Sequence, residues 1–204
     1  MKLVRQLYDW VLSWANKPSG ANALGIMSMA EASFFPIPPD VLLIPLCLGD
    51  RKKSLRFAFI CSLGSVIGAI IGYGIGSWVW WASHQGFSSI ATFFFDHIPG
   101  FTVDGFNRIQ TLYESYSFMI VFTAGFTPIP FKLFTISAGA FSINFPMFII
   151  ASVVSRSARF FIVAYLIKIF GEPIRDFIDK YFNLLAIAFT ILLLGGFVLL
   201  KAIL

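Results

Sequence analysis

The sequence is poor in charge and nearly free of cysteine and histidine. Of its 204 residues only 12% are charged, and it has two cysteines and two histidines. A soluble domain carries about 25% charged residues, so this chain has too few to cover a surface in water. The composition excludes a disordered tail, a disulfide scaffold and a soluble nucleic-acid binder. Cys47 and Cys61 lie in apolar runs and are interpreted as small apolar residues.

Motifs for catalysis and for cofactor binding are lacking as well. The sequence shows no Ser-His-Asp arrangement, no His-Cys metal pattern and no glycine-rich phosphate loop. The histidines, His84 and His97, lie in a mixed polar stretch and are interpreted as solvated side chains. We therefore expect no enzyme activity, no metal, no cofactor and no nucleic-acid partner.

Apolar residues make up 58% of the chain, and 25 of them are phenylalanines. Lipid is the solvent that suits such a surface, so we predict an all-α integral membrane protein with a single membrane domain. The predicted parts are an amphipathic interfacial helix, a first broken segment, a transmembrane helix, an external loop, a second broken segment and two further transmembrane helices. In chain order they span 1–16, 20–49, 54–81, 82–116, 117–143, 146–171 and 181–204.

Prolines interrupt two of the apolar segments at matching places. Pro36, Pro38 and Pro39 break the first segment, and Pro128 and Pro130, 92 residues after Pro36 and Pro38, break the second. A proline inside a helix removes a hydrogen-bond donor and clashes with the preceding turn. Interrupted apolar segments in corresponding halves are typical of transport folds with broken helices. We predict two re-entrant helical hairpins, each followed by a long helix.

The distribution of basic residues predicts the topology. If each broken segment enters and leaves the membrane on one side, nine basic residues are cytoplasmic, and only Arg108 and Lys201 lie outside. We therefore predict hairpins that enter from opposite faces as an inverted repeat, a cytoplasmic N-terminus and a bacterial plasma-membrane location. The nine are Lys2, Arg5, Lys17, Arg51, Lys52, Lys53, Arg56, Arg175 and Lys180.

Glycine recurs at every fourth position of the first long helix. Such a stripe covers ~18 Å of one helix face and lets another helix backbone approach closely. We interpret Gly64, Gly68, Gly72 and Gly76 as a packing surface without chemistry.

Lys168 lies near the cytoplasmic end of its predicted helix, where its side chain can reach the membrane surface. Besides it, five charged residues stand in the apolar segments: Glu31, Asp40, Lys132, Arg156 and Arg159. A charge at bilayer depth costs at least ~2.5–3.5 kcal/mol, so each is a functional-site hypothesis. Two acids against three bases leave one positive charge, which favours an anion as the missing partner. The two arginines are three positions apart and share a helix face. Structural roles stay open: an N-cap for Asp40, a simple ion pair for Glu31, and bracing of the hairpins for the arginines.

Three stretches resemble a known family: residues 31–40 (EASFFPIPPD), 125–132 (GFTPIPFK) and 137–139 (SAG). They are similar to the DedA family, also called VTT-domain or SNARE-associated-Golgi membrane proteins, and most of all to its YqaA-type branch. The resemblance implies opposed re-entrant hairpins and the transport or flipping of lipid carriers such as undecaprenyl phosphate or phospholipids. The family's essential acids fall on Glu31 and Asp40, and Lys132 stands in place of an essential arginine.

We therefore predict a transporter or flippase of a lipid-linked phosphate or phospholipid. Arg156, Arg159 and Lys132 are the predicted substrate-binding residues, and Glu31 or Asp40 is the candidate for proton coupling. One alternative is a small-ion or solute transporter that uses the same acids and bases. A second is a non-transporting structural membrane protein whose charges only hold the hairpins together.

Overall fold

Helices build the fold, and their order repeats once along the chain. The computed structural model describes residues 13–14, 17–82, 86–97, 102–127, 129–171 and 173. Two short helices and then one long helix form each half, and two connecting helices lie between the halves. In chain order they are α1 (Gly20–Glu31), α2 (Asp40–Gly49), α3 (Ser54–Trp80), α4 (Ser89–His97), α5 (Val103–Ser115), α6 (Ser117–Phe126), α7 (Phe131–Ala140) and α8 (Phe145–Phe170).

The short helices end or begin at the proline breaks. α1 ends at Glu31, the chain passes Pro36 and Pro38, and α2 begins directly after Pro39. Pro130 precedes α7 in the same way. Proline is compatible with a helix start, where its missing N–H group would have no partner inside the helix. Several predicted features lie outside the described residues: Pro128, His84, most of the interfacial helix 1–16, and the last transmembrane helix 181–204.

Within the described ranges, two helices are long and apolar enough to cross a membrane. They are Arg51–Trp80, which is α3 with a short 3₁₀ turn (Arg51–Lys53) before it, and Phe145–Phe170, which is α8. The 27 residues of α3 rise about 40 Å at 1.5 Å per residue. The prediction of a helical membrane protein is confirmed at this level.

The glycine face of α3 packs against α1 in its first half and against α7 in its second half. A β-carbon at any of the four glycines would overlap atoms of the facing helix, so backbones are in direct contact or nearly so. In order along α3 the contacts are Gly64 with Gly25, Gly68 with Met29, Gly72 with Thr135, and Gly76 with Ile136.

The base of each pair of short helices is the end of the pair that lies away from its proline break. The bases of the two pairs lie at opposite ends of α3. The first residue of α1 lies against Leu46, near the end of α2, so these two helices are antiparallel. That end of α2 lies at the start of α3, where the hydroxyl of Ser54 donates to the Cys47 carbonyl at 3.4 Å. The end of α7 lies at the other end of α3, where Trp81 Nε1 donates to the Ala140 carbonyl at 2.8 Å.

These two ends of the bundle differ in charge. The end of α8 joins the start of α3, because Gly171 lies against the Arg51 guanidinium. Among the described residues, those at the Ser54 end are mostly basic, and Asp50 is the acidic residue there. Those at the Trp81 end are mostly acidic, and Arg108 is the basic residue there. The basic residues are Lys17, Arg51, Lys52, Lys53, Arg56 and Lys168, and the acids at the other end are Asp96, Asp104 and Glu114.

The stretch 82–116, predicted as an external loop, contains ordered elements. Strands β1 (Trp81–Ala82) and β2 (Gly86–Phe87) form a short antiparallel hairpin, and α4 and α5 follow. Aromatic rings hold them to the end of α3: Trp80 stacks on Phe106 at 5.6 Å between centroids. The apolar positions of this stretch thus cover the end of the bundle.

Candidate functional site

The five charged residues predicted from the apolar segments converge near the middle of α3. Four helices supply them: the last residue of α1, the first of α2, the second of α7, and two positions on α8. Arg156 lies at the level of Ser65, close to the midpoint of α3, because its Nε donates to the Ser65 hydroxyl at 2.6 Å. The sequence places these residues up to 128 positions apart (Glu31 to Arg159). The fold brings them together because the two proline breaks face each other.

The inner part of the site is the ion pair between Glu31 and Arg156. Arg156 Nη2 lies 2.8 Å from Glu31 Oε2, and the two side chains are 3% and 7% exposed. The rings of Phe131 and Phe160 lie 5.0 and 4.5 Å from the guanidinium carbon, a distance at which a cation is attracted to a ring. Arg156 is therefore enclosed by a carboxylate, a hydroxyl and two aromatic rings.

Glu31 also caps a helix in the other half of the molecule. Its Oε1 accepts a hydrogen bond from the backbone N–H of Phe131 at 3.3 Å. Phe131 is the first residue of α7, and the first N–H groups of a helix have no partner within it. A carboxylate also fits there because the N-terminus of a helix is its positive end. Glu31 thus connects the end of α1 to the start of α7 and to α8.

The outer part of the site is the ion pair between Asp40 and Arg159. Arg159 Nη2 lies 2.7 Å from Asp40 Oδ2, and the side chains are 14% and 18% exposed. Arg159 Nη1 donates to the Phe126 carbonyl at 3.2 Å. In the described part of the chain, Asp40 Oδ1 and Arg159 Nε are buried without a hydrogen-bond partner. Asp40 makes no capping bond at the start of α2, so it acts as an ion-pair partner and not as an N-cap.

A small cavity lies between the two ion pairs. Its volume is about 30 Å³, which is room for about two water molecules. The carboxylates and guanidinium groups of both pairs line it, together with residues of the two proline breaks: Pro36, Pro38, Pro39, Thr127, Ile129 and Pro130. Water there could bridge the polar atoms of Asp40 and Arg159 that have no protein partner.

Lys132 carries the charge that the acids do not balance. Its Nζ donates to the Phe35 carbonyl at 3.1 Å, and no described carboxylate lies within 4 Å of it. Since each acid pairs with one arginine, the excess positive charge of the cluster is located on Lys132.

Sequence reasoning missed three partners that position the site. Ser65 bonds to Arg156, the N–H of Phe131 bonds to Glu31, and Thr135 donates to the Ala32 carbonyl at 2.7 Å. Ser65 and Thr135 are hydroxyl residues inside otherwise apolar helices, which is a signal the sequence does contain. The Phe131 N–H carries no such signal, because every residue except proline has this donor.

The long apolar helices, the interrupted short helices and the buried charges define a helical membrane protein. The model of the VTT domain matches residues 26–169, which run from α1 into α8, and the chain belongs to this family, the DedA family. An uncharacterized protein of Haemophilus influenzae is 34% identical over 204 residues, covering 98% of this chain and 100% of that protein. An uncharacterized homologue from Histophilus somni is 31% identical over 188 residues, covering 88% and 91%. No solved structure matches the chain.

Proposed function

We propose that the chain is a transporter that moves a lipid-linked phosphate, of the undecaprenyl phosphate or phospholipid type, across a bacterial plasma membrane. The observation that carries this proposal is the buried charge cluster of two acid–arginine pairs and Lys132. Buried ion pairs are often no more stabilising than apolar side chains of similar volume. Charges at bilayer depth are costly and mark transport pathways in membrane proteins. Function is therefore the better reason for this cluster.

In the proposed membrane arrangement, α1–α2 and α6–α7 are two opposed re-entrant hairpins. Each of these helices has 10 to 12 residues, which is about 15–18 Å of rise against a hydrocarbon core of about 30 Å. Their bases at opposite ends of α3 support entry from opposite faces. The basic Ser54 end is assigned to the cytoplasm by the positive-inside rule.

The proposed mechanism exchanges a carboxylate for a phosphate on Arg159. This pair is the more exposed of the two, and its guanidinium fork fits phosphate oxygens in a bidentate way. A proton taken up by Asp40 would release Arg159, and Lys132 would add a point charge from the other half. The cavity of about 30 Å³ has room only for waters, so the pair has to open before a phosphate group can enter. Glu31 and Arg156 hold the helices together during this step.

Movement of protons or of a small ion is the second candidate function. The size of the cavity favours it, because the cavity has room for water next to Asp40 and Arg159 and none for a phosphate group.

A flipping assay on the purified full chain tests the proposal. The protein is reconstituted into vesicles that contain a fluorescent polyprenyl phosphate or a fluorescent phosphatidylglycerol, and an impermeant quencher reports the outer-leaflet fraction over time. We expect the wild type to exchange lipid faster than protein-free vesicles. Arg159→Lys should slow exchange about tenfold, because a lost charge-assisted bond is worth ~1–2 kcal/mol.

Arg108→Lys is the matched control, since Arg108 is an exposed arginine on α5. The proposal is contradicted if Arg159→Lys and Arg156→Lys both move lipid at the rate of the wild type. A pH-sensitive dye inside vesicles without lipid phosphate tests the second candidate, which requires proton flux under these conditions.

A further inference from the structure

We propose that the molecule also binds an anionic glycerophospholipid from the bilayer in an apolar groove along α1. The groove has a volume of about 410 Å³, within the range of pockets that hold small ligands. Its walls are almost entirely apolar, which suits a hydrocarbon chain. They include Trp14, Ile26, Met27, Ala30, Phe35 and Leu42.

The mouth of this groove is polar and basic. Ser19 and Asn22, both exposed at the start of α1, line it. The ammonium of Lys17 lies 4.2 Å from the centroid of the Trp14 ring, and the same ring forms part of the groove wall. An exposed lysine therefore lies beside the Ser19 end of an apolar groove. That combination complements a lipid with a negative headgroup and an acyl chain.

The direction of the groove agrees with the direction of a lipid in a leaflet. Its mouth is at the basic end of the bundle, where the first residue of α1 meets Leu46 near the end of α2. Its deep end is at Phe35, in the first proline break, and the Phe35 carbonyl accepts the hydrogen bond of Lys132. A lipid whose headgroup lies at Lys17 would thus extend its chain toward the middle of the bundle.

This site requires only that the chain lies in a membrane and does not depend on transport. The test uses the purified full chain, native mass spectrometry, and phosphatidylglycerol and phosphatidylcholine with identical acyl chains. We expect the wild type to retain phosphatidylglycerol in preference to phosphatidylcholine. Lys17→Gln should weaken retention of phosphatidylglycerol about fivefold, the effect of one basic residue near an anionic surface. Arg108→Gln, at the other end of the bundle, should leave retention unchanged.

Filling the groove tests the acyl-chain part of the site. Ala30→Phe and Ile26→Phe each place a large aromatic ring in the wall of the groove and should abolish retention of both lipids. Ile26 is 64% exposed, so its variant keeps the test informative if Ala30→Phe does not fold. Ile71→Phe on α3, at a position 40% exposed and away from the groove, is the control.

Three results would overturn this inference: equal retention of the two lipids, wild-type retention by Lys17→Gln and Ile26→Phe, or no lipid on the wild type. The last result would mean that the chain itself covers the groove. A failure of the flipping assay with the expected lipid retention would reject transport and leave this site standing.

Discussion

At the scale of single residues, Glu31 has the most consequential position. One of its oxygens pairs with Arg156, and the other accepts the N–H of Phe131. Three helices from both halves of the molecule therefore depend on one carboxylate. The pair of Asp40 and Arg159 is more exposed, and it connects α2, α8 and, through the Phe126 carbonyl, α6.

Removal of Arg156 should therefore destabilise the protein strongly. We expect Arg156→Ala to lower the free energy of unfolding by about 3–5 kcal/mol, because it leaves the buried Glu31 carboxylate without its partner. Glu31→Ala in the same chain should restore part of this loss but not activity. Denaturant unfolding in detergent measures both effects. Lys53→Ala, which breaks the exposed ion pair with Asp50, should leave the free energy of unfolding unchanged. A double variant destabilised by the sum of the losses measured for Arg156→Ala and Glu31→Ala alone would show that the two residues are not coupled.

The two acids should differ in their effect on folding. Glu31→Gln leaves Arg156 buried without a carboxylate, whereas Asp40→Asn leaves Arg159 in contact with solvent and with the Phe126 carbonyl. We expect Glu31→Gln to lower the melting temperature more than Asp40→Asn does, whereas Asp40→Asn, which removes the proposed proton acceptor, should abolish pH-dependent transport. Circular dichroism in detergent and the flipping assay at two pH values measure these effects. Unchanged pH dependence in both variants would assign the acids a structural role alone.

At the scale of elements, α3 is the helix against which both halves pack. Its glycines allow α1 and α7 to approach at the backbone. Since lipid offers no hydrophobic drive for helix association, close packing of this kind stabilises membrane helices. The same face places Ser65 within reach of Arg156.

Leucine on this face should therefore separate the helices. A side chain at Gly68 would overlap the Met29 carbonyl, and one at Gly72 would overlap Thr135, whereas Gly74 has no atom of a neighbour within 4 Å. We expect Gly68→Leu and Gly72→Leu to lower the melting temperature and the yield of folded protein, and Gly74→Leu to change neither. Size-exclusion chromatography and thermal unfolding compare the three. Equal tolerance of all three substitutions would contradict the packing seen at α3.

At the scale of the whole molecule, the two ends of the bundle differ both in their charge and in the pair of short helices that begins there. The basic end holds the base of α1–α2, and the acidic end holds the base of α6–α7. If α1–α2 is a re-entrant hairpin, residues on either side of it face the same compartment.

Single cysteines test this arrangement in membranes. With Cys47 and Cys61 replaced by alanine, Ser19→Cys and Lys52→Cys should both react with an impermeant thiol reagent from the cytoplasmic side. Ser115→Cys, exposed at the other end of the bundle, should react from the opposite side. Labelling of Ser19→Cys and Lys52→Cys from different sides would exclude the first hairpin.

The sequence was informative about local features and uninformative about pairing. Proline chemistry predicted where α2 and α7 begin, and apolar length predicted α3 and α8, because both depend on neighbouring residues. The choice of Glu31 for Arg156 and Asp40 for Arg159 joins residues 125 and 119 positions apart. No local pattern encodes that choice. The short strand hairpin and α4 within 82–116 were not predicted, because aromatic residues of this stretch pack onto the end of α3, which is distant from most of them in sequence.

The double contact of Glu31 also has a consequence for how relatives diverge. The residue at position 31 accepts hydrogen bonds from an arginine on α8 and from the first N–H group of α7. A substitution at this position therefore affects both contacts at once. Exchange of the charges between positions 31 and 156 would place a cation at the positive end of α7. Among homologous sequences, position 31 should therefore covary with positions 65 and 156 while keeping its sign.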